Sequence, residues 1–104
     1  MKTSEVLQLA LDDGRYLSQN AGGQSYLCYL LHDMMEESLI TREARGRASD
    51  AIYGSFDTRA VFLKEHLYKL GLIHLNESSY SQKYKELTNA HWQQLIADLK
   101  AKND

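Results

Sequence analysis

Apolar residues recur along this chain at three- and four-residue steps. That spacing predicts five helices separated by glycines and small polar residues. The clearest stripe is C-terminal, where Tyr84, Leu87, Thr88, His91, Trp92, Leu95, Ile96 and Leu99 share one face of a helix from about Ser81 to Ala101. At the other end, Val6, Leu7, Ala10, Leu11 and Leu17 give an apolar face to a helix from about Ser4 to Leu17. Thr3 or Ser4 caps it and Glu5 suits its first turn. Gly14 falls inside it, where glycine is worth about 1 kcal/mol less than alanine.

The run Asn20-Ala21-Gly22-Gly23 breaks the chain before a second helix from about Ser25 to Ser38. Its first half, with Tyr26, Leu27, Cys28, Tyr29, Leu30 and Leu31, is apolar nearly all round, which marks a buried central helix. A third helix is capped by Thr41 and ends near Gly54. Its apolar face is narrow (Ala44, Ala48, Ala51, Ile52), which predicts a surface position. A fourth, capped by Asp57 or Thr58, runs to Leu70 and is expected to bury Val61, Phe62, Leu63, His66, Leu67 and Leu70. Gly71 stops it, with Leu72 placed to pack back in a Schellman arrangement.

The expected architecture is all-α: one compact domain over residues 1–104 with about five helices. The second, fourth and fifth supply the core, the first covers one side and the third is peripheral. The absence of proline agrees, because turn-rich β chains recruit it. A length of 104 residues with 43% hydrophobic and 25% charged residues is that of one globular domain. The longest apolar run, Tyr26 to Leu31, is far below the ~20 residues of a membrane span.

Net charge is -2, which disfavours dedicated nucleic-acid binding. The charge is uneven: residues 1–41 are acidic and residues 42–104 mildly basic, a pairing surface in outline. Cys28 is the only cysteine, so no internal disulfide and no cysteine-based zinc site is expected. With no basic stretch and apolar core at the N-terminus, this points to a reducing cytoplasm.

No catalytic constellation stands out. The histidines His32, His66, His74 and His91 lack metal-binding spacing, and no metal or other cofactor is expected. His66 and His91 lie on apolar stripes and are expected to be hydrogen-bonded interior or boundary residues. Cys28 sits among apolar neighbours, which favours packing over nucleophilic chemistry. The arginines Arg42, Arg45, Arg47 and Arg59 form the candidate binding site, because planar guanidinium groups suit carboxylate and phosphate partners. The plainer reading is a solvated face balanced by Glu43 and Asp50. Tyr16, Tyr53, Tyr68 and Tyr80 fall near helix ends, where half-exposed rings suit an interface.

Taken in order, Tyr26-Leu27-Cys28-Tyr29-Leu30-Leu31, then Ser38-Leu39-Ile40-Thr41-Arg42-Glu43, then Ile52 and Thr58-Arg59-Ala60-Val61-Phe62-Leu63 resemble a pattern in small phage-encoded accessory proteins. Tyr84 with His91-Trp92-Gln93-Gln94-Leu95-Ile96 is similar to their C-terminal helix. This chain departs from the pattern in its short Tyr53–Asp57 segment and its arginine-rich third helix. The resemblance implies an accessory phage protein and leaves its activity open. The leading expectation is a non-enzymatic protein that binds and modulates a host protein, for example by inhibiting a defence component, in the host cytoplasm. One alternative is a module that sequesters a small anionic ligand such as a nucleotide signal. Another is a small enzyme. A homo-oligomer is left open, and no membrane partner is expected.

Overall fold

The computed structural model describes residues 1–15, 23–57 and 59–104. Those residues form an all-α fold of five helices: α1 (Thr3–Asp13), α2 (Gln24–Glu36), α3 (Arg42–Gly54), α4 (Leu63–Lys69) and α5 (Gln82–Ala101). Among the described residues, no helix is long and apolar enough to cross a membrane. The expected contributions of Tyr16, Leu17, the break at Asn20 to Gly22 and the Thr58 cap lie outside the described residues.

Local signals set most helix ends. Thr41 Oγ1 accepts from Ala44 N at 3.1 Å and Ser81 Oγ from Tyr84 N at 3.1 Å, so α3 and α5 start on side-chain caps. α1 differs from expectation at both ends. Thr3 and Ser4 are buried within its first turn rather than capping it, and Gly14 adopts a left-handed conformation (φ 60°) that ends the helix instead of lying inside it. α2 starts at Gln24, one residue earlier than expected, with Gly23 at the cap position.

Three helices close on one motif. After α4, Leu72 N donates to Leu67 O and Gly71 N to Tyr68 O, with Gly71 left-handed. After α2, Leu39 N and Ser38 N bond Met34 O and Met35 O. After α5, Asp104 N and Asn103 N bond Leu99 O and Lys100 O. Ser38 (φ 61°) and Asn103 (φ 59°) occupy the position that glycine fills after α4.

The core is built differently from the expected division of labour. α1 packs against α2, α3 and α5, and α3 packs against both α1 and α2. Ala44, Ala48 and Ile52 of α3 are buried against these partners. A face of alanines is narrow because it admits a neighbouring backbone closely, so α3 is central rather than peripheral. α4 is the peripheral helix: it starts at Leu63 and buries Leu63 and Leu67. Val61, Phe62 and Leu70, expected in the core, are exposed. Leu72 is also exposed, and Ile73 takes the inward position after the turn.

The α5 stripe holds. Tyr84, Thr88, Trp92, Ile96 and Leu99 are buried, flanked by partly buried Leu87 and Leu95. Trp92 joins Phe56 and His91 in a ring cluster, at 6.4 and 4.9 Å between centroids. The first and last turns meet where Ser4 N donates to Asp104 O at 3.1 Å and Lys2 Nζ to Asn103 Oδ1 at 2.6 Å. Arg15 ties the end of α1 to that of α2 through Asp13 (2.8 Å) and Glu37 (3.1 Å).

Candidate functional site

The four arginines do not share one face. Successive residues turn about 100° around a helix axis, so Arg42 and Arg45 lie about 60° apart while Arg47 falls on the far side of the buried stripe. Arg42 is exposed in the first turn of α3. Arg45 is half-buried, and its Nε is enclosed without a hydrogen-bond partner among the described residues. Arg47 Nη2 donates to Met1 O at 2.7 Å. Arg59 follows the opposite end of α3, and its nearest counter-charge is Asp57, at 3.6 Å.

Two histidines and a serine meet where the end of α3 crosses α5. Ser55 Oγ donates to Ile52 O at 2.6 Å and lies 2.8 Å from His91 Nε2. The hydroxyl has one proton for two acceptors: when it goes to the carbonyl, Nε2 of His91 is the donor, and in the other tautomer Nε2 accepts it. His66 Nδ1 accepts from Asp57 N at 3.1 Å, and the two imidazole rings are 5.6 Å apart. Burial, then the proximity of His66, lowers the His91 pKa. Both histidines are thus hydrogen-bonded boundary residues, as their stripes predict. A cleft of about 460 Å³ adjoins Ser55 and His91 and runs along α5 to Asp98 and Lys102.

Cys28 is half-buried on the flank of α2, not enclosed, with Sγ 3.8 Å from the Tyr53 hydroxyl. His32 reaches Glu36 (3.7 Å). Among the described residues, no three His, Cys, Asp or Glu side chains gather as a metal site.

The densest unspent surface lies around α4. Of the twelve large hydrophobic residues exposed among the described residues, seven fall between positions 61 and 80: Val61, Phe62, Tyr68, Leu70, Leu72, Leu75 and Tyr80. Beneath part of this surface is a pocket of about 520 Å³ between the start of α2, α4 and the start of α5. Phe62, Tyr68 and Leu75 supply apolar wall, and Gln24, Lys64 and Tyr84 supply polar groups. Lys69 donates to Arg59 O at 2.7 Å and pairs with Glu65 at 3.3 Å, so this ion pair is internally satisfied.

The chain matches no protein family, no curated protein and no solved structure. Function must therefore be argued from the surface itself. Periodicity assigned Val61, Phe62 and Leu70 to the core, which hid the apolar surface. The pocket's polar groups come from three elements far apart in sequence, and no local motif joins them.

Proposed function

We propose that this chain is a non-enzymatic binding protein whose contact surface is the exposed apolar segment of α4 and its flanks. The observation that carries this reading is the concentration of exposed Val61, Phe62, Tyr68, Leu70, Leu72, Leu75 and Tyr80 in twenty residues. Phe62, Tyr68 and Leu75 line one pocket, so part of this surface is continuous, and large exposed apolar patches mark interaction sites. Half-exposed aromatics such as Tyr68 and Tyr80 suit a protein interface. The resemblance to phage accessory proteins supports a host protein as the partner, whose function the complex modulates, for example by inhibiting it.

The arginines provide the second reading, an anion or an acidic surface, because Arg45 Nε has no partner among the described residues. Capture of host proteins on wild-type chain, on Leu70→Asp/Leu72→Asp and on Arg42→Ser/Arg45→Ser/Arg47→Ser separates the two. Both variants should fold, since the leucines, Arg42 and Arg47 are exposed and replacing half-buried Arg45 removes an enclosed Nε that has no partner among the described residues. Loss of a wild-type partner on the leucine variant alone supports the apolar surface. Loss on the arginine variant alone moves the site to α3.

A further inference from the structure

The pocket beside α4 gathers hydrogen-bond donors that the protein leaves unused. Gln24 and Tyr84 line it and are 7% and 4% exposed. Leu63 N donates to Gln24 Oε1 at 3.2 Å, which fixes the amide's orientation and leaves Nε2 without a partner among the described residues. The Tyr84 hydroxyl lies beside Gly23, where an added Cβ would come within 3.3 Å of it. No described residue hydrogen-bonds that hydroxyl, and burial alone raises its pKa. Amide and phenol groups at a pocket wall can donate to an acceptor that enters the pocket. The third donor is Lys64, which lines the same pocket and makes no ion pair among the described residues.

We propose that this pocket binds a small organic monoanion: a carboxylate held by the Tyr84 hydroxyl, Gln24 Nε2 and the Lys64 ammonium, on an aliphatic or aromatic body packed against Phe62, Tyr68 and Leu75. Gln24 Nε2 and the Lys64 ammonium can only donate, the Tyr84 hydroxyl can donate, and an ionised carboxylate is acceptor-only. Glu65 also lines the pocket, but Lys69 balances its charge at 3.3 Å. One unpaired positive charge remains, which matches a single negative charge better than a phosphate dianion. The start of α2 lies at the same wall through Gly23 and Gln24, and its dipole favours the same sign. A volume of about 520 Å³ falls in the range of small-molecule sites. This site shares Phe62, Tyr68 and Leu75 with the protein-partner surface but takes its polar grip from Gln24, Lys64 and Tyr84, so loss on Leu70→Asp/Leu72→Asp and loss on Lys64→Gln or Tyr84→Phe are separate outcomes.

The test titrates the whole chain with octanoate and with phenylbutyrate, against the corresponding alcohols, by calorimetry and amide NMR. At least one acid should bind saturably, with shifts centred on Gly23, Ser25, Lys64 and Tyr84. Its alcohol should bind about tenfold more weakly, because charge-assisted hydrogen bonds are roughly twice as strong as neutral ones. Lys64→Gln should weaken the acid about tenfold and reduce its salt dependence, and Tyr84→Phe should weaken it several-fold with the thermal midpoint kept. The proposal is overturned if neither acid binds at millimolar concentration, if acid and alcohol bind equally, or if the shifts centre on the α3–α5 cleft. It is equally overturned if both folded variants bind as wild type does.

Discussion

Ser38 holds a backbone conformation that L-residues avoid, at φ 61° in the turn that ends α2. A left-handed residue with a Cβ is strained by about 1–2 kcal/mol, and glycine is not. Ser38→Gly should therefore raise stability by about 1 kcal/mol, a thermal shift of about 4–8 °C in a domain of this size. Asn103→Gly, in the same position after α5, should gain less, because asparagine tolerates this region better. An unchanged or lower midpoint for Ser38→Gly would count against the turn. Trp92 is 2% exposed and stacks edge-on with His91 at 4.9 Å. Trp92→Ala should cost about 3–5 kcal/mol, and native emission should be blue-shifted. Because the folded His91 pKa is lowered and an unfolded histidine titrates near 6.5, the unfolded chain binds more protons in the window below that pH. The His91 contribution to stability is therefore complete above about pH 6.5 and is lost as pH falls through the lower folded value. Trp92 emission should be quenched over that lower range as imidazolium forms beside it. His91→Gln, which cannot charge, should abolish the quenching and flatten the acid side of the stability profile.

At the scale of the elements, α3 decides the packing. Ala48 is fully buried where α3 meets its neighbours, so Ala48→Leu should overpack the contact and cost about 1–3 kcal/mol or more. A peripheral α3 would tolerate the change, so urea denaturation distinguishes the two positions. Gly46 lies inside the same helix, and a Cβ there would meet nothing within 4 Å. Gly46→Ala should gain close to the helix-propensity difference, about 1 kcal/mol. These positions also show what the sequence could disclose. Thr41, Ser81 and Gly71 announce helix ends because a cap or a left-handed turn is a local event. The stripe through Trp92 announces burial because its period is long and regular. Residues Ala44, Ala48 and Ile52 point inward as the period predicts, but periodicity does not say how near a neighbour comes. The same limit misplaces α4: Val61, Phe62 and Leu70 have the period of a core face, and a surface that binds a partner has the same composition. The pocket was illegible for another reason. Gln24, Lys64 and Tyr84 are brought together by tertiary packing alone.

On the scale of the whole molecule, stability is unevenly spread. α1, α2, α3 and α5 share one network of buried side chains, and the chain's two ends are joined through Ser4 and Asp104. α4 is held by Leu63 and Leu67, by His66 through Asp57 N and the Phe56 and His91 rings, by the Gln24 bond to Leu63 N and by the Schellman turn at Gly71. Isolated helices this short are marginal in water, so α4 depends on those few attachments. Its amides should exchange with solvent through local opening, at a free energy well below that of global unfolding. Hydrogen exchange should therefore show Leu67 to Lys69 less protected than Trp92 to Ile96 by at least about tenfold. Equal protection would mean that α4 is part of the core unit despite its exposed face. The same measurement in the presence of a protein partner bears on function. A partner seated on Leu70, Leu72 and Tyr68 should slow exchange in α4 and leave α3 unchanged, whereas a partner held by Arg42 and Arg45 should leave α4 as it is in the free chain. A helix with weak internal support and an apolar outer face gains order on binding, and that gain should appear first at its backbone amides.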